Sequence, residues 1–301
     1  MNFLKRYPIP IAGLILGLFA LGNLIQSYSN EARLALGVIA LVLYIPYLLK
    51  ILVLNFKLKE PLDNPVAASV FPTFTMATML LAGYVKPYCA ECATFIWYAG
   101  VIAHVLLIVW FTMKFMLSNF AIKKVFPSWF IVYVGIAVAS VSAPVTGNFA
   151  VGQYAFWFAF VSYICLLFIV CKRVWLVGEI PAPAMPTTVI FAAPASLLLA
   201  GYMVSFPEKT AWIVYLLFAM SVFFWAVGIF YFAKTFKGAF LPSHSAFTFP
   251  LVISAIATKM STAFTAFAWQ KTFCDVQTVI AAVIVIWVLV RYVKFLFTDA
   301  K

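Results

Sequence analysis

Residues 246–253 read AFTFPLVI, which places Pro250 inside a long apolar run. The same arrangement occurs at Pro72, Pro144 and Pro194. The apolar runs that contain these prolines alternate with other apolar runs. A proline within a helix removes one backbone hydrogen bond and bends the helix. In a membrane the freed carbonyl groups are tolerated only where protein or a water-lined cavity satisfies them. The pattern predicts that alternate helices share one protected environment, most simply the wall of a central pathway, and it indicates transport.

The composition is that of an integral membrane protein. Of the 301 residues 66% are hydrophobic and 9% are charged, whereas soluble chains carry about 25% charged residues. A spanning helix needs about 20 apolar residues, and ten predicted membrane segments satisfy this: 8–27, 32–55, 66–85, 92–116, 127–147, 151–174, 186–206, 209–233, 243–267 and 274–297. Their short connections predict antiparallel neighbours in a single domain, 1–301. The first run has no convincing cleavage site after it, so we interpret it as a retained helix.

The basic residues are distributed unevenly between the two sides of the predicted segments. One side carries only Arg33, Lys86, Lys209 and Lys271, and Lys259 lies inside the ninth segment. The other side carries the remaining basic residues: Lys5, Arg6, Lys50, Lys57, Lys59, Lys114, Lys123, Lys124, Lys172, Arg173, Lys234, Lys237, Arg291, Lys294 and Lys301. The positive-inside rule makes that side cytoplasmic. We therefore expect a multi-pass protein of the plasma (inner) membrane with both termini in the cytoplasm, and the net charge reflects topology rather than nucleic-acid binding.

The acidic residues all lie in predicted loops or at helix ends. Proton-coupled carriers usually need a carboxylate or histidine inside the membrane, and cation channels usually ring their pores with Asp or Glu. A pathway without buried negative charge therefore favours anions. Lys259 is the only charge deep inside a segment, and two interpretations of it stay open. It is either an anion-attracting group on the pathway or a lysine whose ammonium reaches the outer interface.

Catalytic and metal-binding constellations are not evident in the sequence. His104 and His244 are the only histidines, and they lie in different segments without a carboxylate to orient them. We therefore expect no enzyme, no metal site and no cofactor, and we interpret His104 as a packed histidine with a backbone partner. Cys89 and Cys92 form a C-x-x-C in an outer loop, where a disulfide is permitted. The sequence leaves their oxidation state open.

Small and hydroxyl residues accompany the prolines, as in Phe71-Pro72-Thr73 and Ala192-Ala193-Pro194-Ala195-Ser196. Such residues let membrane helices approach one another closely, which accounts for part of the pattern. Five helices of this kind around one axis would in addition enclose a narrow, weakly polar tube. The even segments, which are rich in Leu, Ile, Val, Phe and Trp, would then form an outer layer.

These features together resemble a known family. The ten-segment plan and the alternating prolines are similar to those of the TehA-type family, and so are three short motifs: Phe71-Pro72-Thr73, Ala193-Pro194 and Ala246-Phe247-Thr248-Phe249-Pro250. That family contains tellurite-resistance and C4-dicarboxylate transporter-like proteins and the plant guard-cell slow anion channels. The resemblance implies five helical hairpins in a pseudo-five-fold arrangement, with odd helices lining a central pore. It also implies a homotrimer with one pore per subunit, in which Phe249 plugs the pore.

A gating mechanism follows from this resemblance. A phenylalanine ring across a tube of small residues blocks ions sterically and by dewetting, and opening requires Phe249 to change rotamer or its helix to swing about Pro250. Small monovalent anions such as nitrate and chloride would pass, with the weakly hydrated nitrate ahead. Phe249 could instead be ordinary packing. Phe247 should face elsewhere on the helix and is the natural control.

Two alternatives to a channel stay open at this point. The first is an alternating-access carrier or exporter of tellurite, sulfite or a C4-dicarboxylate, because broken helices also occur in carriers. The second is a membrane-embedded assembly or sensor protein, for which the sequence offers no positive sign. The partners expected in every case are the lipid bilayer and, for transport, small inorganic or carboxylate anions.

Overall fold

The computed structural model describes residues 4, 6–53, 61–118 and 120–298, and these residues form helices and connections without a β-strand. The main helical stretches are α1 (Ile11–Ile25), α2 (Asn30–Val53), α3 (Pro65–Val85), α4 (Ala90–Leu117), α5 (129–145), α6 (Phe149–Val177), α7 (Ala182–Ser205), α8 (Ala211–Thr235), α9 (Pro242–Thr265) and α10 (Gln270–Thr298). Residues of the predicted topology that lie outside the described ranges are Lys5, Lys57, Lys59, Glu60, Asp299 and Lys301. The last two residues of the predicted segment 32–55 also lie outside them.

Eight helices among the described residues are long and apolar enough to cross a membrane. Two further apolar stretches are shorter, namely α1 and the Gly135–Val145 part of α5. The predicted segments begin and end within a few residues of these stretches. The prediction of an all-helical integral membrane protein is therefore confirmed.

Burial alternates along the chain. In the most apolar windows of α3, α7 and α9 the buried share is 72%, 89% and 72%, whereas it lies between 28% and 39% in α2, α4, α6, α8 and α10. The short stretch α1 is almost entirely buried. The exposed side chains of the even stretches are large and apolar, for example Val42, Leu106 and Phe168, as a lipid-facing surface requires. The odd stretches are thus the inner elements of the molecule and the even ones cover them.

The inner stretches contact one another in a closed order. α1 packs against α3, α3 against α5, α5 against α7, α7 against α9, and α9 returns to α1. Each inner stretch also packs against the even stretch that follows it in the chain. A closed ring of this kind leaves a space along its axis, which is where the candidate site lies.

Three of the inner stretches are interrupted at their prolines. Pro72, Pro194 and Pro250 each lie at the first turn of an α-helical part, where the N–H that proline lacks has no partner to lose. The part before each proline is a separate short helix, and in α7 and α9 it is a 3₁₀ helix. The sequence predicts a bend at each of these prolines, and the structure has a break between two helical parts there. The chain breaks each helix and restarts it at the proline.

Pro144 differs from the other three. It lies in the short 3₁₀ turn Ala143–Val145 at the end of α5 and is exposed. Its carbonyl oxygen accepts a hydrogen bond from Lys86 Nζ at 2.6 Å. Pro144 therefore lies in the last turn of its stretch, and not in the interior where the sequence places it.

The hydroxyl residues near the prolines satisfy the backbone at these breaks. The hydroxyl-to-carbonyl bonds are Thr73 to Val70 at 2.7 Å, Ser196 to Ala192 at 2.7 Å and Thr248 to Ser245 at 2.7 Å. An unpaired carbonyl inside a membrane would cost several kcal/mol. These hydroxyls therefore stabilise the breaks, and Ser196 and Thr248 do not line the central space as the tube interpretation expected.

Candidate functional site

Two cavities lie on the axis of the inner ring. The first has a volume of about 510 Å³ and is lined at the beginnings of the odd stretches, by residues such as Pro10, Val66 and Pro183. The second has a volume of about 360 Å³ and is lined toward their ends, by residues such as Gly83, Pro144 and Lys259. The walls of both cavities come from the odd stretches and the connections next to them. The even stretches, which face lipid, contribute to neither.

Phe249 and Leu197 belong to the walls of both cavities. Phe249 is buried, with 6% of its surface exposed, and Leu197 is 2% exposed. A residue that is shared by two neighbouring cavities lies between them. The two side chains therefore form the constriction of the axial space.

The helix break in α9 fixes the position of Phe249. Thr248 has φ −82° and ψ −83°, so the 3₁₀ part ends there and the α-helix begins at Phe249. The Thr248 Oγ1 also lies 2.9 Å from the carbonyl oxygen of Gly13, so its one proton is shared between Ser245 and Gly13 and ties the break to α1. A Cβ added at Gly17 would come within 2.6 Å of the Thr248 side chain. Glycine at this position is what allows α1 to approach the break.

Phe247 faces away from the cavities. It is fully buried and stacks on His244 with ring centroids 5.0 Å apart. It also meets Phe232 of α8 edge to face at 5.1 Å and approaches Trp287 of α10 at 6.4 Å. The prediction that Phe247 and Phe249 face different directions is confirmed. Phe247 packs the inner ring against the outer layer, whereas Phe249 reaches the axis.

The cavity walls are apolar and carry almost no charge. In the described part of the chain no Asp or Glu lines either cavity. The described polar residues in the wall of the first cavity are neutral, among them Asn64 and Thr187. The second contains Lys259, together with the amides Asn23 and Gln26. The electrostatic character of the axial space is therefore neutral on one side of Phe249 and positive on the other.

Lys259 combines both interpretations given to it from the sequence. It lines the second cavity, and its ammonium donates to the Leu24 carbonyl oxygen at 2.9 Å and to Ser27 Oγ at 2.5 Å. The ammonium also lies 5.1 Å from the centre of the Tyr28 ring. The side chain thus reaches the connection between α1 and α2, while it contributes a positive charge to the cavity.

The other predicted site residues do not all lie on the axis. Thr73, Pro194 and Pro250 line the first cavity, and Pro144 lines the second near its end. Phe71 and Pro72 line neither cavity. Phe71 instead packs against Phe74, with ring centroids 4.9 Å apart. Phe71 therefore belongs to the packing around the break, and a pore-lining role for Phe71 and Pro72 stays a prediction.

Sequence reasoning missed Leu197. It is the first bulky residue after the small residues around Pro194, one helical turn beyond the proline. That position faces the axis because Ala193, Pro194 and Leu197 share one face of the helix, and all three line the first cavity. The spacing from the proline was the signal that could have identified it.

The remaining polar residues singled out in the sequence have structural partners. His104 is fully buried; its Nδ1 lies 2.6 Å from Thr75 Oγ1 and its Nε2 lies 3.1 Å from the Val132 carbonyl oxygen. This confirms the interpretation of His104 as a packed histidine with a backbone partner. Cys89 and Cys92 are joined in a disulfide at the start of α4.

The fold and the two axial cavities define a helical membrane protein with a largely apolar interior space that Phe249 and Leu197 divide. Residues 6–293 match the family described as voltage-dependent anion channel (SLAC1). The match covers nearly the whole chain, so the protein belongs to this family, as the resemblance to the TehA-type and slow anion channel proteins predicted. No individual curated protein matches the chain. Membership points to transport of anions as a channel or transporter rather than to catalysis.

Proposed function

We propose that this protein is an anion channel whose pore follows the axis of the inner stretches and is closed by Phe249. The observation that carries the proposal is the position of Phe249 and Leu197 between two axial cavities. A bulky apolar constriction of this kind stops ions both sterically and by excluding water. Removal of the ring would join the two cavities into one passage.

The proposed architecture is ten transmembrane helices in five hairpins, arranged with pseudo-five-fold symmetry in one domain, 1–301. It is supported by the closed order of contacts among α1, α3, α5, α7 and α9 and by the packing of each on the even stretch that follows. The stretches α1 and α5 are short as regular helices. They nevertheless belong to the same ring, so we assign them the same role as the longer ones.

Small monovalent anions are the proposed substrates. The walls carry no carboxylate among the described residues and only Lys259 as a charged group. In such an apolar passage the main cost is the loss of water from the ion. We therefore expect nitrate to pass more easily than chloride, and divalent anions to pass least easily.

Opening is proposed to occur at the break of α9. Phe249 begins an α-helix directly after the irregular residue Thr248 and is followed by Pro250. A change of the Phe249 rotamer, or a swing of the helix about this break, would move the ring off the axis without unfolding α9. Phe247 stays in place because it is held against the outer layer.

The assembly and its orientation are part of the same proposal. The family resemblance favours a homotrimer with one pore in each subunit. The excess of Lys and Arg beside the beginnings of the odd stretches favours a cytoplasmic position for the first cavity and for both termini, in the plasma (inner) membrane. The second cavity, with Lys259, would then open to the outside.

The test is the current carried by the purified protein in planar bilayers under a chloride/nitrate gradient. The parent chain should conduct weakly, and Phe249→Ala should raise the conductance by at least about tenfold, with a reversal potential toward nitrate. Phe247→Ala removes the same ring two residues away and should leave the conductance at the parent level. Silent bilayers for both Phe249 forms, with saturable uptake of a labelled anion into liposomes, would contradict the channel. They would instead favour an alternating-access carrier of tellurite, sulfite or a C4-dicarboxylate.

A further inference from the structure

Arg33 is a buried charge without a carboxylate partner. It lies near the start of α2 with 8% of its surface exposed. The ion pairs found among the described residues are Lys114–Asp63 and Lys123–Glu179, and neither involves Arg33. Buried charges in proteins are normally paired with an opposite charge. The arrangement therefore lacks a counter-ion from the protein.

The hydrogen bonds of Arg33 lead to the wall of the second cavity. Its Nε donates to Asn23 Oδ1 at 3.2 Å and its Nη2 donates to the Gly83 carbonyl oxygen at 3.1 Å. Both Asn23 and Gly83 line the second cavity. The guanidinium also lies over the Tyr84 ring at 4.2 Å, which holds it in place from the other side. The charge is thus fixed directly behind the cavity wall.

Arg33 decides which way the Asn23 amide points. A guanidinium can only donate hydrogen bonds, so the amide oxygen of Asn23 must face Arg33. The amino group of the same amide is then left for the cavity that Asn23 lines. Because an amide that donates to an anion binds it more strongly when a cation polarises its oxygen, the pair presents a strengthened donor to the cavity.

Lys259 supplies a second donor to the same cavity. Two of its three N–H groups are engaged by the Leu24 carbonyl oxygen and by Ser27 Oγ, which leaves one for a ligand. Asn23 and Lys259 both line this cavity, and the Lys259 ammonium is held at the carbonyl oxygen of Leu24, the residue that follows Asn23 in α1. No Asp or Glu among the described residues lines this cavity to oppose an anion.

We propose that Asn23 and Lys259 bind a small, singly charged anion in the second cavity. Arg33 is the positioning residue, because it orients Asn23 and supplies the buried positive charge that the anion balances. A halide or a planar oxyanion such as nitrate fits this set of donors. The inference rests on the proposed function, since it assigns a binding site to the anion pathway described above.

The test uses the full chain in the Phe249→Ala background, with the nitrate concentration varied on one side of the bilayer at a time. When the nitrate concentration is raised on the side of the second cavity, the current should reach a maximum. Asn23→Leu and Arg33→Gln should each raise the half-saturating concentration by about tenfold, the loss expected for one hydrogen bond to a charged group. Arg33→Lys keeps the charge and a donor for Asn23 and should recover most of the affinity. Lys271→Gln removes an exposed charge away from both cavities and is the matched control.

An equilibrium measurement separates this inference from the channel proposal. Nitrate that binds the folded protein raises its unfolding temperature in detergent, and this shift should follow the same order of variants without any need for conduction. If nitrate raises the unfolding temperature of a protein that carries no current, the binding site is supported and the channel proposal is contradicted. An affinity unchanged by Asn23→Leu would overturn the site, even if Arg33→Gln does not fold. Tighter binding of succinate than of nitrate would overturn its assignment to a singly charged anion.

Discussion

The two cavities on either side of Phe249 are built from the same five stretches but differ in backbone and charge. The first is formed by the beginnings of these stretches, which in α7 and α9 are 3₁₀ helices, and its wall is neutral. The second is formed by the later parts of the stretches and carries Lys259 in its wall, with Arg33 behind it. The difference shows that the helix breaks do more than bend the wall. They separate a wider neutral space from a smaller positive one and place the constriction at the boundary.

After the Phe249 ring itself, the largest expected effect is at the contact that holds the break. Gly17→Ala would bring a Cβ within 2.6 Å of the Thr248 side chain, so α9 must shift. We expect a loss of stability of about 1–3 kcal/mol from overpacking, together with a leak current in the parent background. Gly100→Ala is the matched control, because it brings a Cβ within 2.9 Å of Met79 away from both cavity walls and should cost stability without a leak current. A Gly17→Ala protein that shows no leak current would mean that the break is not what positions Phe249.

A smaller effect is expected at the other half of the constriction. Leu197→Ala should give a conductance between that of the parent and that of Phe249→Ala, because Leu197 closes only part of the passage. Leu198→Ala removes the same volume at a fully buried position outside both walls. It should lower the free energy of unfolding by about 2–5 kcal/mol without raising the current. Equal currents in the two variants, measured in the same bilayers, would mean that Leu197 acts through packing alone.

The smallest effect concerns the charge difference between the cavities. With Lys259 on one side of Phe249, the open Phe249→Ala channel should pass unequal currents at opposite voltages in symmetrical chloride. Lys259→Gln should reduce this asymmetry a few-fold, since one charge at about 4 Å is worth about 1 kcal/mol in water-like surroundings. Lys271→Gln should leave the asymmetry unchanged. An asymmetry that survives Lys259→Gln in full would place its origin elsewhere.

The sequence predicts the inner and outer elements better than it predicts the roles of single residues. The alternating prolines and small residues identified the buried stretches, because only a protected environment tolerates them in a membrane. The same pattern did not show that Pro72, Pro194 and Pro250 restart a helix, since periodicity does not distinguish an α-helix from a 3₁₀ helix. Pro144 was predicted in the interior of its helix because the apolar run that contains it continues past the end of that helix.

At the candidate site, the spacing of residues along one helix could be interpreted from the sequence. Contacts between residues of different helices could not. Phe247 and Phe249 were distinguished correctly because neighbouring positions on one helix face different directions. The spacing from Pro194 could have placed Leu197 on the axial face of α7, but its position beside Phe249 depends on how α7 and α9 meet. The contact of Arg33 with Asn23 likewise joins residues of different stretches. Such contacts are set by packing and are not visible in one sequence.

The most direct test of the central claim is whether Phe249 separates the two cavities. Single cysteines at Ala67, in the first wall, and at Val141, in the second, can be probed with an anionic thiol reagent after the free cysteines have been replaced. With Phe249 present each cysteine should react only from its own side of the membrane. In Phe249→Ala each should react from both sides. Reaction from both sides in the parent chain, or from one side only in Phe249→Ala, would contradict the account.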